Sequence, residues 1–183
     1  MKKLVFGLIA MVLFSFVGNA QDFTKEEARV NAAKVLINFK STLVADFNKS
    51  RTFEDFIKNV TGPYNPTTIP AEGKDLLRVT YDYLSRRTSD KEILTTYSGK
   101  EIANAFRFLK NNPEKDESQL FGFVVNGKTN LGGKGGPSVN FEIFESEYPC
   151  KWYQIRCHLQ QIFGEKAGDK LTDALITAII LLF

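Results

Sequence analysis

The strongest constraint on the fold is a helical phase that begins near residue 24 and runs for more than twenty residues. Ala32, Leu36, Phe39, Leu43 and Phe47 recur at intervals of three or four, which places all five on one side of an α-helix. Thr24-x-x-Glu27 stands just before them, a capping box in which each side chain satisfies the other residue's orphan amide. The pattern predicts one long amphipathic helix over 24–49.

Three further starts follow the same rule. Thr52-x-x-Asp55 opens a short helix carrying Phe53, Phe56, Ile57 and Val60, stopped at Gly62-Pro63. Residues 62–70 hold Pro63, Pro66 and Pro70, which force the residues before them into extended backbone and predict a semi-rigid connector. Leu76, Leu77, Thr80, Tyr81, Tyr83 and Leu84 predict a helix over 71–87, with Arg86 and Arg87 where cations favour a helix C-terminus. Ser89-x-x-Glu92 and Ser98-x-x-Glu101 mark two more starts, the second leading into Ile102, Ala105, Phe106 and Leu109. Residues 21–112 are thus expected to form a helical bundle.

Beyond Pro113 the character changes. Leu120–Val125 and Val139–Phe144 are short and rich in Phe, Val and Ile, and Asn126-Gly127 between them is a hairpin dipeptide. They predict a β-hairpin or short meander. Helical spacing returns over 151–163 and 169–183. The expected fold class is mainly α with a small β element (α+β). Residues 113–183 supply the hairpin and two C-terminal helices and pack with the bundle as one domain.

Lys2 and Lys3, the apolar run Leu4–Val17 and the small residues ending at Ala20 compose a secretory signal of bacterial type, with cleavage expected after Ala20. The run is about six residues short of the roughly 20 needed to span a bilayer. Without residues 1–20, 22 Lys and Arg face 21 Asp and Glu, so the net charge falls from +3 to +1. That balance argues against nucleic acid as a partner, which would call for a concentrated basic face.

Cys150 and Cys157 are the only cysteines. In an oxidising compartment such a pair is expected to close as a disulfide. On a continuous helix they would lie about 10.5 Å apart along the axis, beyond the ~7 Å Cα reach of the bond, so residues 150–157 must bend. His158, the only histidine, adjoins Cys157. Neighbouring residues on a helix do not face each other, which disfavours a thiol nucleophile and base, and the expectation is a partly exposed helix histidine.

Gly132, Gly133, Lys134, Gly135 and Gly136 lack the lysine and hydroxyl placement of a phosphate loop, because Gly133 stands where the lysine is required. They remain a candidate anion-binding or docking loop. Glu142, Glu145 and Glu147, and the pair Asp116 and Glu117, match no metal-ligand spacing and read as solvated charge. No cofactor, metal or catalytic motif is present.

The final segment, Ala174–Phe183, is apolar throughout apart from Thr177. Such a helix is either buried or placed in a membrane, and ten residues cover only about 15 Å. Trp152, Tyr153, Leu175, Ile176, Ile179, Ile180, Leu182 and Phe183 are the candidate membrane or partner contacts. The expected function is a non-enzymatic, exported binding protein of the periplasm or extracellular space, with an unidentified protein partner. The alternatives are a membrane-active, toxin-like protein using 150–183, and a hydrolase of unrecognised type.

Overall fold

The computed structural model describes residues 23–125, 150–163 and 169–183. Its elements, in order, are α1 (Lys25–Thr42), α2 (Val44–Asn48), α3 (Phe53–Thr61), a 3-10 turn (Gly62–Tyr64), α4 (Ala71–Ser85), α5 (Asp90–Thr96), α6 (Lys100–Asn111), a second 3-10 turn (Glu117–Phe121), α7 (Ile155–Phe163) and α8 (Asp169–Leu182).

Helix α1 is the central post. It touches α2, α4, α5, α6, α7 and α8, and it is buried over far more than one stripe. Ala28, Ala32, Ala33, Val35, Leu36 and Phe39 are all fully buried. The alanines let neighbouring backbones approach closely, while Leu36 and Phe39 fill the space between them. Both Thr24 and Thr52 form the reciprocal capping boxes that their spacing predicts.

The long first helix does not run unbroken to residue 49. Ser41 Oγ and Thr42 Oγ1 donate to the carbonyls of Asn38 and Phe39, both at 2.7 Å. The Leu43 amide then bonds the Lys40 carbonyl at 3.1 Å, three residues back. Hydroxyls competing for main-chain acceptors tighten and bend a helix, and here they separate α1 from α2.

Helix α6 also starts differently from its expected box. Its N-cap is Gly99, at φ 95°, and Ser98 Oγ accepts the Lys100 amide at 3.4 Å rather than that of Glu101. The buried Tyr97 hydroxyl accepts the Ile102 amide at 3.0 Å. Arg29 of α1 donates to the carbonyls of Leu94 and Tyr97, at 2.8 and 3.0 Å, closing the end of α5.

The expected β element requires correction. Helix makes up about 73% of the described residues and no strand occurs among them. Leu120–Val125 is not a strand: Leu120 and Phe121 finish the second 3-10 turn, and Gly122 turns the chain at φ 79°. The hydroxyl of buried Ser118 donates to the Phe123 carbonyl at 3.0 Å and accepts the Val125 amide at 3.2 Å. The Thr67 amide bonds the Gly122 carbonyl at 2.9 Å. A side chain and the proline connector thus satisfy backbone groups that a ladder partner would have served. The segment 139–144 lies outside the described residues.

The connector 65–70 and the turn 117–123 meet almost backbone to backbone. A Cβ added to Gly73 would stand 1.8 Å from the Leu120 carbonyl oxygen, and one on Gly122 would stand 2.8 Å from that of Thr68. Only glycine permits both approaches. This joint carries Phe121 and Phe123 to the side of the bundle where α7 begins.

Candidate functional site

Cys150 and Cys157 are joined in a disulfide with their Cα atoms 5.7 Å apart. The required bend is present, because α7 starts only at Ile155 and residues 151–154 form a turn. The Gln154 amide donates to the Lys151 carbonyl at 2.9 Å, and the Lys151 amide donates to Gln154 Oε1 at 3.0 Å.

This closed corner places Trp152 and Tyr153 against the 3-10 joint. Trp152 lies 4.6 Å from the Phe121 ring and 5.7 Å from that of Phe123. Tyr153 meets Phe123 edge-on at 5.4 Å. Tyr64, from the connector, stacks on Phe123 at 4.3 Å with 14° between the planes. Behind them Phe39 of α1 stacks on Phe121 at 5.8 Å. Four stretches distant in sequence therefore build one aromatic cluster, with offset and edge contacts each contributing about 0.5–1.5 kcal/mol beyond burial. Its floor is core, but its edge meets water: Tyr64 is 39% exposed and Trp152 is half-buried, and Val124, next in the chain to Phe123, is 57% exposed.

His158 is not the partly exposed residue expected; only 1% of it meets solvent. It seats edge-on against Phe39 at 6.2 Å, and its Nε2 lies 3.2 Å from the Trp152 carbonyl. Its Nδ1 has no hydrogen-bond partner among the described residues. Burial holds the imidazole below its ordinary titration range. With Cys157 consumed in the disulfide, the adjacent pair has no free thiol to activate.

Glu117 is likewise not simply solvated, its side chain being only 20% exposed. Its carboxylate accepts the Arg156 amide through both oxygens, at 3.3 and 3.4 Å, in the first turn of α7. The Arg156 guanidinium lies 3.9 Å from Glu117 and also 3.9 Å from Asp173 of α8. Burial pushes the Glu117 carboxyl up to about 7, against the opposing pull of the Arg156 amide and charge. Nothing local in the sequence announces a cap that acts across 39 residues.

The apolar C-terminal segment divides by face. Leu175, Ile176 and Ile179 are buried in the core, whereas Ile180, Leu182 and Phe183 are half-buried and Leu181 is 76% exposed. Helix α8 packs on α1 and α6. Arg107 donates to the Ile180 carbonyl at 2.7 Å, satisfying one of the last orphan acceptors of α8. The Phe183 ring lies on Gly99, with the Lys25 ammonium 5.6 Å from its centre.

The glycine-rich loop Gly132, Gly133, Lys134, Gly135 and Gly136 lies outside the described residues, as do Glu142, Glu145 and Glu147. Among the described residues no three His, Cys, Asp or Glu side chains converge on a metal position, and no helix is long and apolar enough to cross a membrane. No family model, curated protein or solved structure matches the chain.

Proposed function

We propose that this is an exported protein that works by binding, in the periplasm or outside the cell, through the aromatic rim around its disulfide-closed corner. The observation that carries this reading is the rim itself. Tyr64 and Trp152 leave apolar area in water where, among the described residues, the disulfide corner, the proline connector and the 117–123 turn meet, and Val124 beside Phe123 in the chain adds more. Rigid aromatic side chains on a pre-organised support give contact area at low entropic cost, which is how hot-spot surfaces are made. A disulfide within the corner supports an oxidising compartment, and the segment 1–20 supplies the export signal. The partner is an envelope component with an apolar or aromatic surface.

Co-sedimentation of oxidised protein 21–183 with washed bacterial envelope fragments tests the binding. Wild type should pellet, Tyr64→Ala with Val124→Ser should stay in the supernatant, and Leu181→Ser should pellet like wild type. The exposed Leu181 supports a second reading, in which residues 150–183 enter lipid. In that case Leu181→Ser abolishes pelleting and the rim variant retains it. N-terminal sequencing of the exported protein should begin at Gln21; a full-length chain in the cytoplasm with free thiols would rule out export.

A further inference from the structure

The two sulfurs of the disulfide are not equivalent. Cys150 is buried, only 5% exposed, whereas Cys157, the third residue of α7, is half-buried. Their neighbours along the chain differ as well. Cys157 stands between Arg156 and His158, and no Asp or Glu occurs from 151 to 163. Cys150 has Lys151 on one side but Glu145 and Glu147 on the other. We infer that Cys157 is the sulfur through which the disulfide is made and exchanged, that Cys150 is the resolving sulfur, and that the partner is a thiol–disulfide oxidoreductase of the oxidising compartment.

In the reduced chain, charge makes the choice. The thiolate is the nucleophile, and neighbouring cations favour it while carboxylates oppose it. The Cys157 thiolate attacks one sulfur of the partner's disulfide. That bond breaks, a mixed disulfide to Cys157 forms, and the partner's second sulfur leaves as a thiolate. Cys150, having lost its proton to water, then attacks Cys157 Sγ and expels the partner's first sulfur, also as a thiolate. Two thiols of this chain give up two protons and two electrons, and the partner's disulfide takes the electrons and becomes a dithiol.

In the folded protein, access makes the same choice. There Glu117 and Asp173 each lie 3.9 Å from the Arg156 guanidinium and offset its charge, so charge no longer separates the sulfurs. An incoming thiolate must still reach one sulfur, and exchange rates follow that access. Attack at the half-buried Cys157 expels Cys150, which later recloses the ring. Each step is reversible, so reduction and reoxidation of the folded protein by one reagent pass through the same mixed disulfide. The choice of sulfur is a property of this chain and stands whether or not the rim binds an envelope component; the partner's identity rests on the export reading above.

The test places oxidised protein 21–183 in a buffer of reduced and oxidised glutathione, quenches it with acid and alkylates the free thiols. Trypsin cuts after Lys151 and Arg156 and so puts the two sulfurs on different peptides. Mass spectrometry then reads the position of glutathione however little mixed disulfide accumulates. Glutathione should sit on Cys157 at least about tenfold more often than on Cys150. Comparable amounts, or a preference for Cys150, overturn the inference. Reduced protein in urea, exposed briefly to oxidised glutathione, isolates the effect of charge: Cys157 should lead by about twofold, and equal reaction overturns that argument. In cells exporting the protein, Cys150→Ser should accumulate a mixed disulfide with the oxidoreductase and Cys157→Ser should not. Equal trapping, the reverse, or trapping by neither overturns the partner, whereas free thiols in the wild type overturn export itself.

Discussion

Shortening Ile179 to alanine should destabilise the protein severely, while the same change at Leu181, two positions on, should leave stability almost untouched. Ile179 is wholly buried on the face of α8 turned to the core, and Leu181 is 76% exposed on the opposite side. Deleting a buried isoleucine to its Cβ costs about 2–5 kcal/mol, transfer and cavity together. An exposed leucine away from caps and cavities lies within about 0.5 kcal/mol of neutral. Urea unfolding followed by Trp152 fluorescence reads the difference, with a slope of about 1–3 kcal/mol per molar urea. A loss of roughly 3 kcal/mol then moves the midpoint of the Ile179 variant by at least about 1 M. Leu175, Ile176 and Ile179 together hold roughly 5–9 kcal/mol of apolar burial, comparable with the whole stability of an ordinary domain. Taking the tail out of the body therefore forfeits a contribution of that size. Equal midpoints for the Ile179 and Leu181 variants would refute the packing of α8 and return the tail to a detachable role.

Gly73→Ala should cost at least about 1–3 kcal/mol, because its Cβ would collide with the Leu120 carbonyl oxygen at 1.8 Å. Gly62→Ala, with only Lys58 Cγ at 3.9 Å, should be neutral or slightly stabilising in the same urea assay. Reducing Cys150–Cys157 reopens a loop with a sequence separation of 7 and should lower stability by about 2–3 kcal/mol, seen as an earlier urea midpoint in the presence of a phosphine reductant. His158 is buried neutral, so its contribution is complete above about pH 6.5 and is lost as pH falls. His158→Gln should flatten the acid side of a stability profile taken from pH 7.5 to 5.5, and an unchanged profile would show that the imidazole is not held neutral.

What the sequence made legible is what local chemistry decides. The boxes at Thr24 and Thr52 form because a hydroxyl and a carboxyl three residues apart need nothing else. The bend at 150–157 was legible because a disulfide and a straight helix are geometrically incompatible at that spacing. The misreadings arise where other groups take the backbone bonds that composition or spacing assigns elsewhere. Leu120–Val125 has strand composition, yet Ser118 and Thr67 take up its backbone groups. Ser98 has box spacing, yet Gly99 at φ 95° is the N-cap, and Ser98 Oγ accepts the Lys100 amide in place of that of Glu101. Of the aromatic site, Trp152 and Tyr153 stood out by composition, as candidate membrane or partner contacts. Tyr64 and Glu117 did not, since their roles exist only once the connector, the 3-10 turn and α7 have met.

The most direct test of the aromatic rim as a working surface uses its own reporter, Trp152, the only tryptophan in the chain. Acrylamide quenching of its fluorescence should be measured in oxidised protein, free and bound to washed envelope fragments. The account predicts that binding shields Trp152 and shifts its emission to shorter wavelength, and that Tyr64→Ala with Val124→Ser removes both effects. Protein that pellets with Trp152 quenched as readily as before would place the contact elsewhere and contradict the account.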